Sequence, residues 1–174
     1  LFTPRAIPIN ILKQLSGKRT EIIQFNGYKE DIYIADYKPD KDFTSKLPFS
    51  DFVTIRPENL DVLYLKSSDR KTIVSELIRQ LSKNGFNVLY LPRTNFERSL
   101  AEGFDNVFIP EEALNGLDIC YYSRVVLSGS GTIGREASRL GTPAVSFFPG
   151  KLLAVDRQLI RDGSLHYSRD PNNI

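Results

Sequence analysis

Ser128-Gly-Ser-Gly-Thr132 stands directly after the apolar run Val125-Val-Leu127 and directly before Ile133-Gly-Arg-Glu-Ala137. The β-branched run reads as a strand covered on both faces, and the segment after the glycines reads as a helix. Gly129 and Gly131 let the backbone turn sharply and come close to a ligand, because no Cβ intervenes. Ser130 or Thr132 can cap the helix. A helix start of this kind offers unpaired N–H groups and the positive end of the peptide dipoles. Ser128, Gly129, Ser130, Gly131 and Thr132 therefore form a candidate anion site, above all for phosphate. Glu136 lies in the first turns of the same helix. Its carboxylate can accept from both hydroxyls of a ribose while the loop holds phosphate; the plainer alternative is compensation of the helix dipole.

Gly129, Gly131 and Gly134 also spell G-x-G-x-x-G, the form of a dinucleotide fingerprint. That fingerprint occupies the first βα turn of its domain and is followed about twenty residues later by an acid for the ribose. Here several strand–helix units come first, and the later region, Phe147-Phe-Pro-Gly-Lys151, contains no acid. NAD(P) binding is thus the weaker reading. Arg56 and Arg93 each follow an apolar run and could reach phosphate with paired N–H groups, or be ordinary strand-end arginines. No cysteine, histidine and aspartate spacing points to a metal. No Ser–His–acid set is recognisable, so no catalytic residue is assigned. Cys120 lies in an apolar run and reads as a small buried hydrophobe. His166, the single histidine, reads as a surface or packing residue.

The elements that must position these residues are marked by glycine and proline. Phe52–Arg56 is a strand closed by Pro57. A helix through Ile73, Leu77, Ile78 and Leu81, capped by Ser68 or Asp69, ends at Gly85. Phe86–Leu91 is a strand stopped by Pro92, 96–101 a short helix, and Val107–Ile109 a strand closed by Pro110. A helix follows within 111–122. After the glycine loop come a helix over 133–140, a strand over 144–148, a helix over 152–160 and a short last strand over 164–168. Strands alternating with helices at this spacing imply a three-layer α/β domain with a mostly parallel, doubly wound sheet of about five strands. In such sheets ligands bind beyond the carboxyl ends of the strands, at the switch point. Before residue 36 the pattern differs. A helix within 7–15 and a strand over 21–25 precede Asn26-Gly27, a turn signal, and a second apolar run, Ile32–Ala35. This is either a hairpin or a connector whose partners lie elsewhere.

Composition narrows the function classes. Hydrophobic residues make up 41% and charged residues 25%, the profile of a globular chain with a full core. A net charge of +2 and the absence of any lysine or arginine block argue against nucleic acid as partner. No apolar run reaches the roughly 18 residues of a membrane-spanning helix. One cysteine excludes an internal disulfide, so a reduced, cytoplasmic setting is expected. The chain has no methionine and opens on Leu1-Phe-Thr-Pro4, which reads as the interior of a longer polypeptide.

Leu127-Ser-Gly-Ser-Gly-Thr132, Arg135-Glu-Ala137 and Leu140-Gly-Thr-Pro-Ala144 together resemble the nucleotide-sugar loop of the GT-B superfamily, which includes glycosyltransferases and UDP-N-acetylglucosamine 2-epimerase. Asn26-Gly-Tyr-Lys-Glu30, Tyr37-Lys-Pro-Asp40, Ile55-Arg-Pro-Glu58 and 147–157 more narrowly resemble domain-of-unknown-function family 354. The resemblance covers residues 4–169. It implies the C-terminal Rossmann-like half of a GT-B protein over 36–174, with 1–35 the end of a missing N-terminal domain and a connector. By the same resemblance the 128–132 loop would hold the diphosphate and Glu136 the ribose. Phe108 and Ile109 would lie beside the base, with core packing as the alternative. Lys151 and Asp156 would face the donor sugar. The substrate implied is a UDP-sugar, with no further cofactor. The chain departs from the epimerase: Leu127 stands where an acid precedes the Ser-Gly pair. Glycosyl transfer would belong to the intact protein, and this piece alone is expected to be inactive. A non-catalytic interaction module is the alternative.

Overall fold

A computed structural model of the chain describes residues 1–60 and 71–174. The candidate helix caps Ser68 and Asp69 lie outside them. Six strands form one parallel sheet: β3 (Val53–Arg56), β4 (Val88–Tyr90), β5 (Val107–Phe108), β6 (Val125–Ser128), β7 (Ala144–Ser146) and β8 (His166–Tyr167). Their spatial order is β5-β4-β3-β6-β7-β8. The chain thus winds outward from β3 in one direction, returns to β6 at the centre and winds out the other way. The switch point falls between β3 and β6, where Arg56 sits beside Ser128 in register.

Period two along the strands builds two cores. Val53 and Ile55 of β3, Val88 and Tyr90 of β4 and Leu127 of β6 point to one face, where Val74, Leu77 and Ile78 of helix α3 (Val74–Lys83) cover them. Each such side chain contributes about 1.5–3 kcal/mol when fully buried. Val126 and Ala144 point to the other face, against α5 (Gly116–Tyr122), α6 (Gly131–Leu140) and α7 (Ala154–Arg161) through Cys120, Ala137 and Leu159. Leu89 meets Phe52 and Ile119 on that side too. Helix α4 (Asn95–Ser99) follows β4 and is capped by Thr94, whose hydroxyl accepts from the Glu97 amide at 3.1 Å. Helix α6 ends at Gly141, whose φ of 83° is left-handed and suits glycine.

Residues 1–35 differ from the hairpin reading. β1 (Phe2–Pro4) and β2 (Ile23–Phe25) pair in parallel across α1 (Ile9–Leu15), as a separate two-stranded sheet. The Asn26-Gly27 turn is real, with Gly27 at φ 129°. It leads, however, into a helix, α2 (Lys29–Ile34), rather than a returning strand. Asp31 Oδ2 accepts from the Tyr28 amide at 2.7 Å and so satisfies a donor at the helix start. The run Ile32-Tyr-Ile34 is the last turn of this helix, which lies along α6.

Candidate functional site

The carboxyl ends of β3, β4, β5 and β6 enclose a cleft of about 670 Å³. Proline fixes where these strands stop: Pro57, Pro92 and Pro110 each follow within two residues of a strand end. Ser130 occupies the N-cap position of α6 in extended geometry, but its hydroxyl caps nothing. This differs from the expected cap and has a local cause. Ser128, fully buried, bonds the carbonyl of residue 130 through its Oγ (2.6 Å) and accepts from the residue 130 amide (3.0 Å), which fixes the turn internally. Among the described residues no side chain caps the first-turn amides of α6. Their positive end opens beside Ser130 and Thr132, which line the cleft.

Gly129 sits behind this turn. A Cβ there would lie 2.5 Å from the Glu58 amide nitrogen and 2.7 Å from its Cα. Neither Gly129 nor Gly131 has positive φ, so close approach rather than turn geometry calls for glycine at 129. Glu58 is itself fixed. It is 2% exposed, accepts from Thr72 Oγ1 (2.9 Å), the Ile73 amide (3.3 Å) and Arg169 Nη1 (3.2 Å). Arg169 also donates to the Phe147 and Lys71 carbonyls at 2.7 and 2.6 Å. The loop thus rests on a brace that the spacing of residues in the chain does not reveal.

Arg56 and Arg93 face each other across the cleft wall. Arg56 Nη1 donates to the Leu91 carbonyl (2.7 Å) and Arg93 Nη1 to the Pro57 carbonyl (2.9 Å), which crosses the two strand-end loops. Burial, then the neighbouring Arg93 charge, pushes Arg56 below the usual guanidinium range; burial does the same to Arg93. Among the described residues Arg56 makes no ion pair, and Arg93 has only a long one to Glu97 at 4.0 Å. Two under-compensated cations near a helix N-terminus favour a bound anion. Arg98, which sequence reasoning passed over, lines the same cleft from α4. Inorganic pyrophosphate is therefore expected to raise the melting temperature of the protein. In an Arg56→Gln/Arg93→Gln variant its affinity should fall at least about tenfold, since each charge-assisted contact contributes about 1.5–3 kcal/mol. Titration calorimetry reads this out.

Glu136 reaches the cleft from α6, and burial raises its carboxyl above the usual range. Its Oε1 accepts from the Tyr33 hydroxyl at 2.9 Å. Ile109 lines the cleft with Pro110, whereas Phe108 packs edge-on against Phe49 and lines an adjoining hollow. Lys151 and Asp156 lie on the other flank of the α6 start. There they border a smaller hollow of about 220 Å³ with Gly131, Ser146, Phe148 and Arg135. Both Asp156 oxygens are engaged by Arg135, at 2.6 and 3.1 Å. Glu30 of α2, 2% exposed, stands 3.8 Å from the same guanidinium. So Arg56, Arg93, Ile109, Ser130, Thr132 and Glu136 share one cleft. Gly131, Lys151 and Asp156 share its neighbour, and Ser128 and Gly129 support the turn from behind. Among the described residues no three His, Cys, Asp or Glu side chains are grouped to hold a metal. Among the described residues no helix is long and apolar enough to cross a membrane. His166 is exposed on the edge strand β8.

A parallel six-stranded sheet, helices on both faces and an open helix N-terminus at the switch point define a Rossmann-like α/β domain. The chain belongs to the family described as protein of unknown function DUF354, matched over residues 1–174. It is 28% identical to an uncharacterised protein of Methanocaldococcus jannaschii, over all of this chain and 52% of that one. The chain therefore spans about half the length of that curated relative. Among solved structures it is similar to E. coli heptosyltransferase WaaC with ADP-2-deoxy-2-fluoro heptose, with a TM-score of 0.50 and 17% identity over 91% of this chain and 45% of that one. WaaC with ADP matches at a TM-score of 0.42 and 18% identity, over 66% and 44%.

Proposed function

We propose that this domain binds a nucleoside diphosphate sugar, a UDP-sugar in the first instance, and serves glycosyl transfer in the protein that carries it. One observation supports this above all. Arg56, Arg93, the uncapped start of α6 and the Glu136 carboxylate converge on one cleft at the switch point. The α6 amides and arginines would take the diphosphate and stabilise it as a leaving group. Glu136 would take the ribose, Ile109 would lie beside the base, and Lys151 and Asp156 would border the sugar. The similar WaaC structure was solved with an ADP-sugar, so ADP belongs beside UDP in any test. The second half of the cleft, with acceptor and any general base, would come from a domain preceding residues 1–35. With a single buried cysteine the chain suits a reducing, cytoplasmic setting.

A thermal-shift panel tests the reading. UDP, ADP and their sugars at about 100 times Kd should add about 2.7 kcal/mol, or roughly 5–10 °C for a chain of this size. NAD(P) should add nothing. Glu136→Ala should lose roughly tenfold or more in UDP affinity. If no nucleoside diphosphate raises the melting temperature, the domain is an interaction module instead.

A further inference from the structure

Helix α2 makes three polar contacts along α6: Glu30 to Arg135 at 3.8 Å, Asp31 to Arg139 at 2.5 Å and Tyr33 to Glu136 at 2.9 Å. The third is set apart by its position. Tyr33 is 42% exposed, so its hydroxyl sits at the surface rather than in the core. Its hydroxyl meets the one carboxylate that lines the arginine cleft from α6. That contact takes up Oε1. Oε2 faces Gly116, the first residue of α5 and also part of the cleft wall, and a Cβ at 116 would stand 3.8 Å from it. A glutamate on a helix face has three rotatable bonds, and an unheld carboxylate would spread over several orientations.

We propose that Tyr33 is a positioning residue for ribose recognition, fixing Glu136 through Oε1 so that Oε2 is presented in the cleft as an acceptor for ribose hydroxyls. The inference rests on the nucleotide reading above and adds to it a residue from the connecting segment, 103 positions away in sequence. Tyr33 also favours the charged form of the carboxylate. Burial favours the neutral acid, and the Tyr33 hydrogen bond works against it. Around the carboxylate, Lys29, Glu30 and Tyr33 face it from α2 and Cys120 from α5. Glu30 opposes the ionised form and Lys29 favours it, so removing the hydroxyl tips the balance toward the proton.

The test is Tyr33→Phe, which keeps the ring, with Glu136→Gln as a second variant. Affinities for UDP or ADP, whichever the protein binds more tightly, and for the matching 2′,3′-dideoxynucleotide are measured by calorimetry across pH. Tyr33→Phe should weaken the ribonucleotide about five- to tenfold, the scale of one hydrogen bond, and leave the dideoxy form unchanged. Binding is lost as pH falls through the titration of Glu136, so the fall-off should begin at higher pH in Tyr33→Phe. Glu136→Gln should abolish both the ribose preference and that pH dependence. Equal weakening of ribo and dideoxy forms, or an unmoved pH profile, overturns the positioning role. A wild-type protein that binds both nucleotides equally overturns the ribose role of Glu136. One that binds neither overturns the nucleotide reading itself, and the positioning role with it.

Discussion

Gly129→Ala is expected to cost about 3 kcal/mol of folding stability, the upper end of what overpacking costs, and to abolish the nucleotide binding proposed above. The added Cβ would stand 2.5 Å from the Glu58 amide nitrogen and 2.7 Å from its Cα. These are backbone atoms, so no side-chain rotation relieves the clash. Glu58 cannot retreat without giving up Thr72, the Ile73 amide and Arg169. The loop must move instead, and it carries the open end of α6. Gly134→Ala makes the sharp control. Its Cβ would meet Ser128 Cβ at 3.6 Å, an ordinary contact, inside a helix. There alanine should be neutral or stabilising by about 0.5–1 kcal/mol. Urea midpoints of the two variants decide the matter: equal losses would mean that the third glycine of the G-x-G-x-x-G is also under contact constraint.

The second large effect is expected at Arg135. Its guanidinium is bidentate to Asp156 and within 3.8 Å of Glu30, and all three residues are buried. Arg135→Met should cost about 3–5 kcal/mol, because it strands the buried Asp156 carboxylate and leaves Glu30 with Lys29 alone, at 3.9 Å. The loss should depend on pH in a definite sense. A carboxylate buried without its partner holds a proton more tightly folded than unfolded. Stability from that group is then present at low pH and lost as pH rises. Denaturation at pH 5 and pH 8 should show Arg135→Met closer to wild type at pH 5. Adding Asp156→Asn should recover part of the loss at pH 8. A loss that is identical at both pH values would argue that Arg135 acts by packing alone.

What the sequence made legible was the alternation of β-branched runs with helical spacing, because buried parallel strands and amphipathic helices differ in period. The stops at Pro57, Pro92 and Pro110 and the turn at Gly141 carry their own backbone reasons. Residues 26–35 were legible only in part. Ile32-Tyr-Ile34 is too short to show a helical period, so the choice between strand and helix rested on the Tyr28–Asp31 contact, a detail of side-chain placement. Most of the cleft could be assembled from strand-end positions, since the topology forces those together. The braces could not. Glu30, Glu58 and Arg169 read as ordinary surface charges in sequence. They become structural only through partners 105, 111 and 98 residues away. Ser130 shows the converse: its type and place predict a cap, but the hydroxyl of Ser128 reaches the turn first.

The order of strands has a consequence for synthesis on the ribosome. β3 borders β4 on one side and β6 on the other, and the partner of Val53 in β6 is Val125. β4 follows β3 closely, but some seventy residues must be made before β6 exists. At about 5–20 residues per second that is roughly 4–14 s. Throughout that interval the central strand of the finished sheet is an edge, with one row of backbone N–H and C=O groups open to pairing with another nascent chain. The switch point that makes the cleft is thus also the seam between the two halves of the sheet, open until β6 has been made.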